Sequence, residues 1–264
     1  MPPSAGVMGM YPFPQVRAGR YPKFTDWEMK TMNSNCTIKA PFFEIGPKSY
    51  LYGDDILELA KAADAASEKY GVDIIFTCPV VDIRRVKENT KRIHVFAPHM
   101  DPIPVGRGLA DILPESLVAA GAEGVMLNHV EKPLDFETLA ATIKRAEEVG
   151  LLTIVCADSM ADAGKIATLA PDIIVAEPSE LIGTGVSVGP EYVEAATKCV
   201  KSVNPDILVL TAAGISNGTD VYNTIIAGAD ATGSSSGVAK AADRAAMVDE
   251  MIAAVRKAWN EAHK

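Results

Sequence analysis

The sequence calls for an α/β architecture in which eight parallel strands close into a (β/α)8 barrel. Three observations carry this. Eight short runs rich in Val, Ile and Phe alternate with longer helical stretches, the rhythm of β-α-β units. The runs are apolar throughout rather than alternating, as in strands covered on both faces. Finally, the turn after the first run reads IGPKSY, without the glycine-rich phosphate turn that usually opens a doubly wound open sheet. About 250 residues suffice for such a barrel, and the chain has 264.

The elements follow in order. Residues 1–35 hold five prolines and the aromatics Tyr11, Phe13, Tyr21, Phe24 and Trp27, with little periodicity. They are expected to form an irregular arm that packs on the body or on another subunit. The barrel is expected to occupy 36–264. Its strands are read at APFFEIG (40–46), VDIIFTC (72–78), IHVFA (93–97), GVMLN (124–128), LLTIVCA (151–157), DIIVA (172–176), ILVLTA (207–212) and ADATG (229–233). The clearest helices are 54–71, which opens on Asp54 and stops at Gly71, 136–150, which stops at Gly150, and the apolar-periodic 242–259.

Composition narrows the function. With a formal net charge of -9 the chain lacks the basic footprint of a nucleic-acid binder. No apolar run reaches the ~18 residues that cross a bilayer. The four cysteines show no CxxC pair and no zinc spacing, and three sit in or beside apolar runs, as small buried hydrophobes do. The N-terminus has no charged segment followed by an apolar one, so a reducing cytoplasm is expected.

A barrel of this type places its chemistry where each strand runs into the next helix. The polar residues at those points are Lys48 after the first strand, His99 after the third, Asn128, His129 and Glu131 after the fourth, and Glu177 after the sixth. An amine, an imidazole and a carboxylate converging on a dry pocket can move a proton and hold an anion. Each also has a plainer reading: a solvated loop lysine, a rim histidine bonded to backbone, a helix-capping carboxylate. The glycine-rich segments IGTG (182–185), AGISNG (213–218) and GSSSG (233–237) follow the last three strands. Small residues there let backbone N–H groups approach an anion, and the loops after strands seven and eight are a common phosphate site.

The segments NHVEK, AEPSELIGTG, AGISNG and SSSGVAKA, together with APHMDP, VCAD and VNPD, resemble the signature segments of the triosephosphate isomerase family, most closely its compact archaeal branch, over residues 44–241. The resemblance implies Glu177 as catalytic base, His129 as electrophile and Lys48 as the neutralising cation. It implies that Ile182, Gly183, Gly214, Ser235 and Ser236 face the phosphate through their backbones, and that Gly46 lies beside the substrate. It further implies a small phosphorylated sugar as partner, no metal or organic cofactor, and a homodimer or homotetramer. Two departures stand out. Gly46 replaces the asparagine of an Asn-x-Lys motif, and Val130 and Lys132 replace the serine and arginine of His-Ser-Glu-Arg. Loss of the asparagine is expected to open space near the sugar, and Gly46 with Val130 motivates one alternative, an isomerase of a four-carbon sugar phosphate; the altered motifs and the arm motivate another, a barrel that binds a phosphometabolite without turning it over.

Overall fold

The computed structural model describes residues 38–264; the arm expected at 1–35 and Cys36 lie outside the described residues. Eight strands form one closed all-parallel barrel in sequence order: β1 (Phe42–Ile45), β2 (Asp73–Thr77), β3 (His94–Ala97), β4 (Gly124–Leu127), β5 (Leu152–Ala157), β6 (Ile173–Ala176), β7 (Leu208–Thr211) and β8 (Ala231–Ser234). Closure comes from β1 pairing with β8, Phe42 to Ala231 through Ile45 to Ser234. Helices α1 (Asp54–Tyr70), α2 (Ile83–Asn89), α3 (Pro114–Ala120), α4 (Phe136–Val149), α5 (Met160–Ala167), α6 (Pro190–Val203), α7 (Gly218–Ile226), α8 (Ser236–Ala239) and α9 (Arg244–Ala262) follow the strands. Every expected strand is present, each trimmed by a residue or more except that the last is shifted toward Ser234.

Two apolar clusters explain the continuous hydrophobic runs. Phe42, Ile75, Phe96, Ile154, Ile173, Val175 and Leu210 fill the barrel interior. Their neighbours Phe43, Ile45, Ile74, Phe76, Val125, Val155 and Val209 point outward onto α1, α4 and α9, where Ile56, Leu59, Leu139, Val248 and Ile252 are buried. Both faces of each strand are dry, so the period-2 alternation of a half-exposed strand disappears. β4 begins on a glycine because a Cβ at Gly124 would lie 2.3 Å from the Phe96 ring and 2.8 Å from the Leu152 carbonyl.

Helix ends follow local chemistry. α4 is capped by Asp135, whose carboxylate accepts the Thr138 N–H at 2.8 Å, and it ends on Gly150 at φ 78°. At α1 the expected cap shifts by one. Gly53 is the cap residue, and Asp54 is the first helical residue, free to pair with Arg85 of α2. Of the cysteines, Cys78 and Cys156 are buried as expected, whereas Cys199 is only half-buried. Among the described residues no helix is long and apolar enough to cross a membrane.

Candidate active site

The C-terminal ends of the strands surround a cavity of about 690 Å³. Lys48, His129 and Glu177 line it together with Gly46, Ile182, Gly183, Gly214, Ser235 and Ser236, and His99 and Glu131 reach it too, whereas Asn128 does not.

Strand parity aims Glu177. Ile173 and Val175 face the barrel interior, and the ladder continues one residue past β6, where the Glu177 N–H donates to the Ala157 carbonyl at 3.1 Å. The side chain therefore keeps the inward direction. Beyond it the chain is pinned by Ser179, whose N–H donates to Asp158 at 2.8 Å.

His129 is aimed by its predecessor. Asn128 has φ 57°, a left-handed value that asparagine tolerates. Its side chain donates to the Cys156 carbonyl at 3.0 Å and accepts the Leu134 N–H at 3.0 Å, which fixes the loop. The Glu131 N–H donates to His129 Nδ1 at 3.1 Å. A nitrogen that accepts a hydrogen bond carries no proton, so in the neutral ring the proton sits on Nε2. That nitrogen lies 3.9 Å from Glu177 Oε2, with both side chains largely buried.

Lys48 is the first central residue of a turn closed by the Tyr50 N–H on the Pro47 carbonyl at 3.1 Å, and it holds φ 48°. For a residue with a Cβ this costs about 1–2 kcal/mol, strain of the kind that gathers at working sites. Its ammonium pairs with Glu131 at 3.0 Å.

The charges shift one another in consistent directions. Burial pushes the Glu177 carboxyl above its ordinary value; Lys48 pulls it down, while Glu131 and Asp158 add to the rise. Burial likewise pushes the His129 imidazole below its ordinary value, aided by Lys48 and opposed by Glu131. The site thus favours a neutral imidazole.

The glycine-rich loops after β6, β7 and β8 are built from close approaches. Gly214 has φ 70°, and a Cβ there would fall 2.0 Å from the Val186 carbonyl oxygen and 2.7 Å from the Ser187 nitrogen. The segment returning from the loop after β6 therefore rests directly on Gly214. Gly214→Ala is expected to dislodge it and to weaken phosphoglycolate binding at least tenfold, measured by calorimetry, because the left-handed backbone alone costs about 1–2 kcal/mol. Unchanged affinity would remove this contact from the binding function. Ser235 spends its hydroxyl on the Gly46 carbonyl at 2.6 Å, tying β8 to β1.

His99 belongs to a different task. Its Nε2 lies 3.3 Å from Asp101, which also accepts the Ile112 N–H at 2.7 Å. The pair braces the long connection after β3 from the edge of the cavity.

Glu44 also belongs to the cavity, although it lies within a strand rather than after one. It follows the parity of Phe42 into the interior, is 9% exposed, lines the cavity, and accepts the Thr77 hydroxyl at 2.6 Å. A carboxyl within the run APFFEIG was the available signal, since a charged residue in a doubly covered strand is costly without a purpose. Glu44 also corrects the expectation of space at Gly46: a Cβ there would sit 2.9 Å from Glu44 Oε1, so the room is taken. Burial raises the Glu44 carboxyl from 4.5 to about 7, with Glu177 adding to the rise and Thr77 and Lys48 opposing it. A carboxyl raised on folding contributes full stability below its unfolded value and loses it as pH climbs through the folded value. Glu44→Gln is therefore expected to raise Tm relative to the parent at pH 8–9, by at most about 3 kcal/mol of stability, and to leave it unchanged near pH 5. A pH-independent difference in melts would refute the assignment of this charge.

Comparison with known proteins gives a consistent answer. The sequence model of the triosephosphate isomerase family matches residues 47–255. Triosephosphate isomerase from Methanothermus fervidus is 39% identical over 203 residues, covering 76% of this chain and 91% of the relative. That from Saccharolobus solfataricus is 35% identical over 225 residues, 84% of this chain and 99% of the relative. That from Methanocaldococcus jannaschii is 39% identical over 203 residues, 76% of this chain and 92% of the relative.

Proposed function

This chain belongs to the triosephosphate isomerase family, and we propose that Glu177, His129 and Lys48 carry out its reaction. The reaction is the interconversion of dihydroxyacetone phosphate and glyceraldehyde 3-phosphate, an intramolecular oxidation–reduction. Moving a carbonyl by one carbon requires removing a proton from the carbon beside it. In this reading the Glu177 carboxylate takes that proton and the former carbonyl oxygen gains negative charge as the enediolate forms; the hydroxyl proton of the neighbouring oxygen then passes to that oxygen by way of His129 Nε2, and Glu177 returns its proton to the former carbonyl carbon, leaving the new carbonyl on the other. His129 supports the charge through Nε2–H and Lys48 through its ammonium. A neutral imidazole in that role is a chemistry for which triosephosphate isomerase is itself the standard example. The single observation that carries the assignment is the 3.9 Å separation of Glu177 Oε2 and His129 Nε2 in a shared, largely buried hollow.

Gly183, Gly214, Ser235 and Ser236, with Ile182, would receive the phosphate through backbone N–H groups. Closure of the 182–187 segment over the substrate would exclude water and guard the enediolate against loss of phosphate. The four-carbon alternative is not favoured, and the space on which it relied is filled by Glu44. We further propose an oligomer, supported by Tyr52, Val81, Val105 and Leu109, large apolar side chains left exposed on connections after β1, β2 and β3. A cytoplasmic location fits a substrate too charged to leave through a bilayer. The deciding experiment supplies dihydroxyacetone phosphate and follows glyceraldehyde 3-phosphate through a coupled dehydrogenase. Rapid turnover is expected, and none would overturn the reading. Light scattering in solution tests the oligomer, and a monomer would refute it.

A further inference from the structure

β1 is covered on both faces, yet one of its four residues is a glutamate. Glu44 sits on the floor of the cavity lined by Lys48, His129 and Glu177. An apolar side chain would fill that place without desolvating a carboxyl. The surroundings are cut to fit the group. A Cβ on Gly46 would come within 2.9 Å of its Oε1, and a Cβ on Gly233 within 3.1 Å of its Oε2. Oε1 is held by the Thr77 hydroxyl at 2.6 Å. Buried side-chain polar atoms without a partner are confined, among the described residues, to Glu115 and Thr211, and Oε2 of Glu44 meets the cavity.

We propose that Glu44 is a substrate-contacting residue that works in its protonated form: while Thr77 holds one oxygen, the hydroxyl on the other donates a hydrogen bond to an oxygen at the reacting end of the bound triose phosphate. The proton stays on Glu44, and no covalent bond changes there. The inference rests on the isomerase reading for the identity of that oxygen. The electrostatics favour it. The groups that bear on Glu44 are Glu177 from β6, Lys48 from the turn after β1, Cys156 from β5 and the neutral Thr77 from β2. Burial and Glu177 keep the proton on Glu44 up to about pH 7. A phosphorylated substrate adds negative charge nearby and pushes the same way. The Thr77 hydrogen bond and Lys48 oppose it, without outweighing burial.

The test compares kcat/KM for dihydroxyacetone phosphate from pH 5.5 to 9 in the full chain, in Glu44→Gln and in Glu44→Leu. The parent is expected to decline as pH rises through about 7. Glu44→Leu, similar in size but without a donor, is expected to lose about 100-fold. Glu44→Gln, whose amide oxygen still accepts from Thr77 and whose N–H points into the cavity, is expected to recover at least tenfold of that loss and to lack the alkaline decline. Equal rates in the two variants, or a parent-like decline in Glu44→Gln, would overturn the proposal. If Glu44→Leu does not fold, as judged by its melt, the Glu44→Gln profile decides alone. A parent inert toward the substrate at pH 6 would overturn the isomerase reading instead. Phosphoglycolate affinity over the same pH range then decides for Glu44: a decline above pH 7 in the parent and none in Glu44→Gln sustains it, and parallel profiles reject it.

Discussion

Glu177→Gln is expected to lower kcat by about 100- to 10,000-fold, the range spanned by a lost general acid–base group, while KM stays within a few-fold of the parent. The amide keeps the size and inward direction of the side chain, because the backbone N–H of residue 177 remains bonded to the Ala157 carbonyl. What it loses is the ability to accept a proton from carbon. Stability is expected to move the other way. The parent carboxyl is raised above its ordinary value, chiefly by burial. Its ionised form is therefore carried at a cost once the pH exceeds that raised value, and the neutral amide carries none. A variant that is slower yet melts no lower than the parent at pH 8 is the signature of a group kept for chemistry rather than for folding. Turnover within tenfold of the parent would remove Glu177 from the proton transfer.

The barrel was legible because both strand faces are dry. Phe42 and Phe43 are neighbours on opposite faces and both fully buried, which writes a continuous apolar run into the sequence. Strand limits were less legible. β8 is made of Ala231, Thr232, Gly233 and Ser234, small residues that resemble loop, and their burial comes from the ring around them. The candidate residues at strand ends were legible by topology, since every strand of a parallel barrel presents the same end to the site. Their division of labour was not. Asn128 and His99 stand at equivalent positions, but both are spent bracing loops. Glu44 escaped notice because its neighbours in sequence are apolar, while its neighbours in space, Thr77, Gly233 and Glu177, come from other strands. The same holds for the raised carboxyl of Glu177, which owes its shift first to burial inside the ring and then to Glu131 and Asp158 from other strand ends, with Lys48 opposing.

Lys48→Met is expected to reduce kcat/KM by about 100- to 1,000-fold, the loss found when one donor aimed at developing oxyanion charge is removed. Methionine preserves much of the aliphatic stem and discards the ammonium. Its second effect has a fixed sign. Lys48 lowers both the Glu177 carboxyl and the His129 imidazole. Without it both rise. The proposed reaction needs Glu177 ionised and His129 neutral, so the acidic limb of kcat/KM is expected to move to higher pH on both counts. Lys48 also lowers Glu44, so the alkaline limb, set by protonated Glu44, moves the same way. The whole profile is therefore expected to slide upward in pH rather than narrow from one side. Glu131→Gln serves as the contrast: it removes the 3.0 Å partner of Lys48 and a carboxylate that raises both groups, so its acidic limb is expected to move to lower pH. Profiles of Lys48→Met and Glu131→Gln shifted in the same direction would show that the ammonium acts on the site by packing alone, and not by its charge.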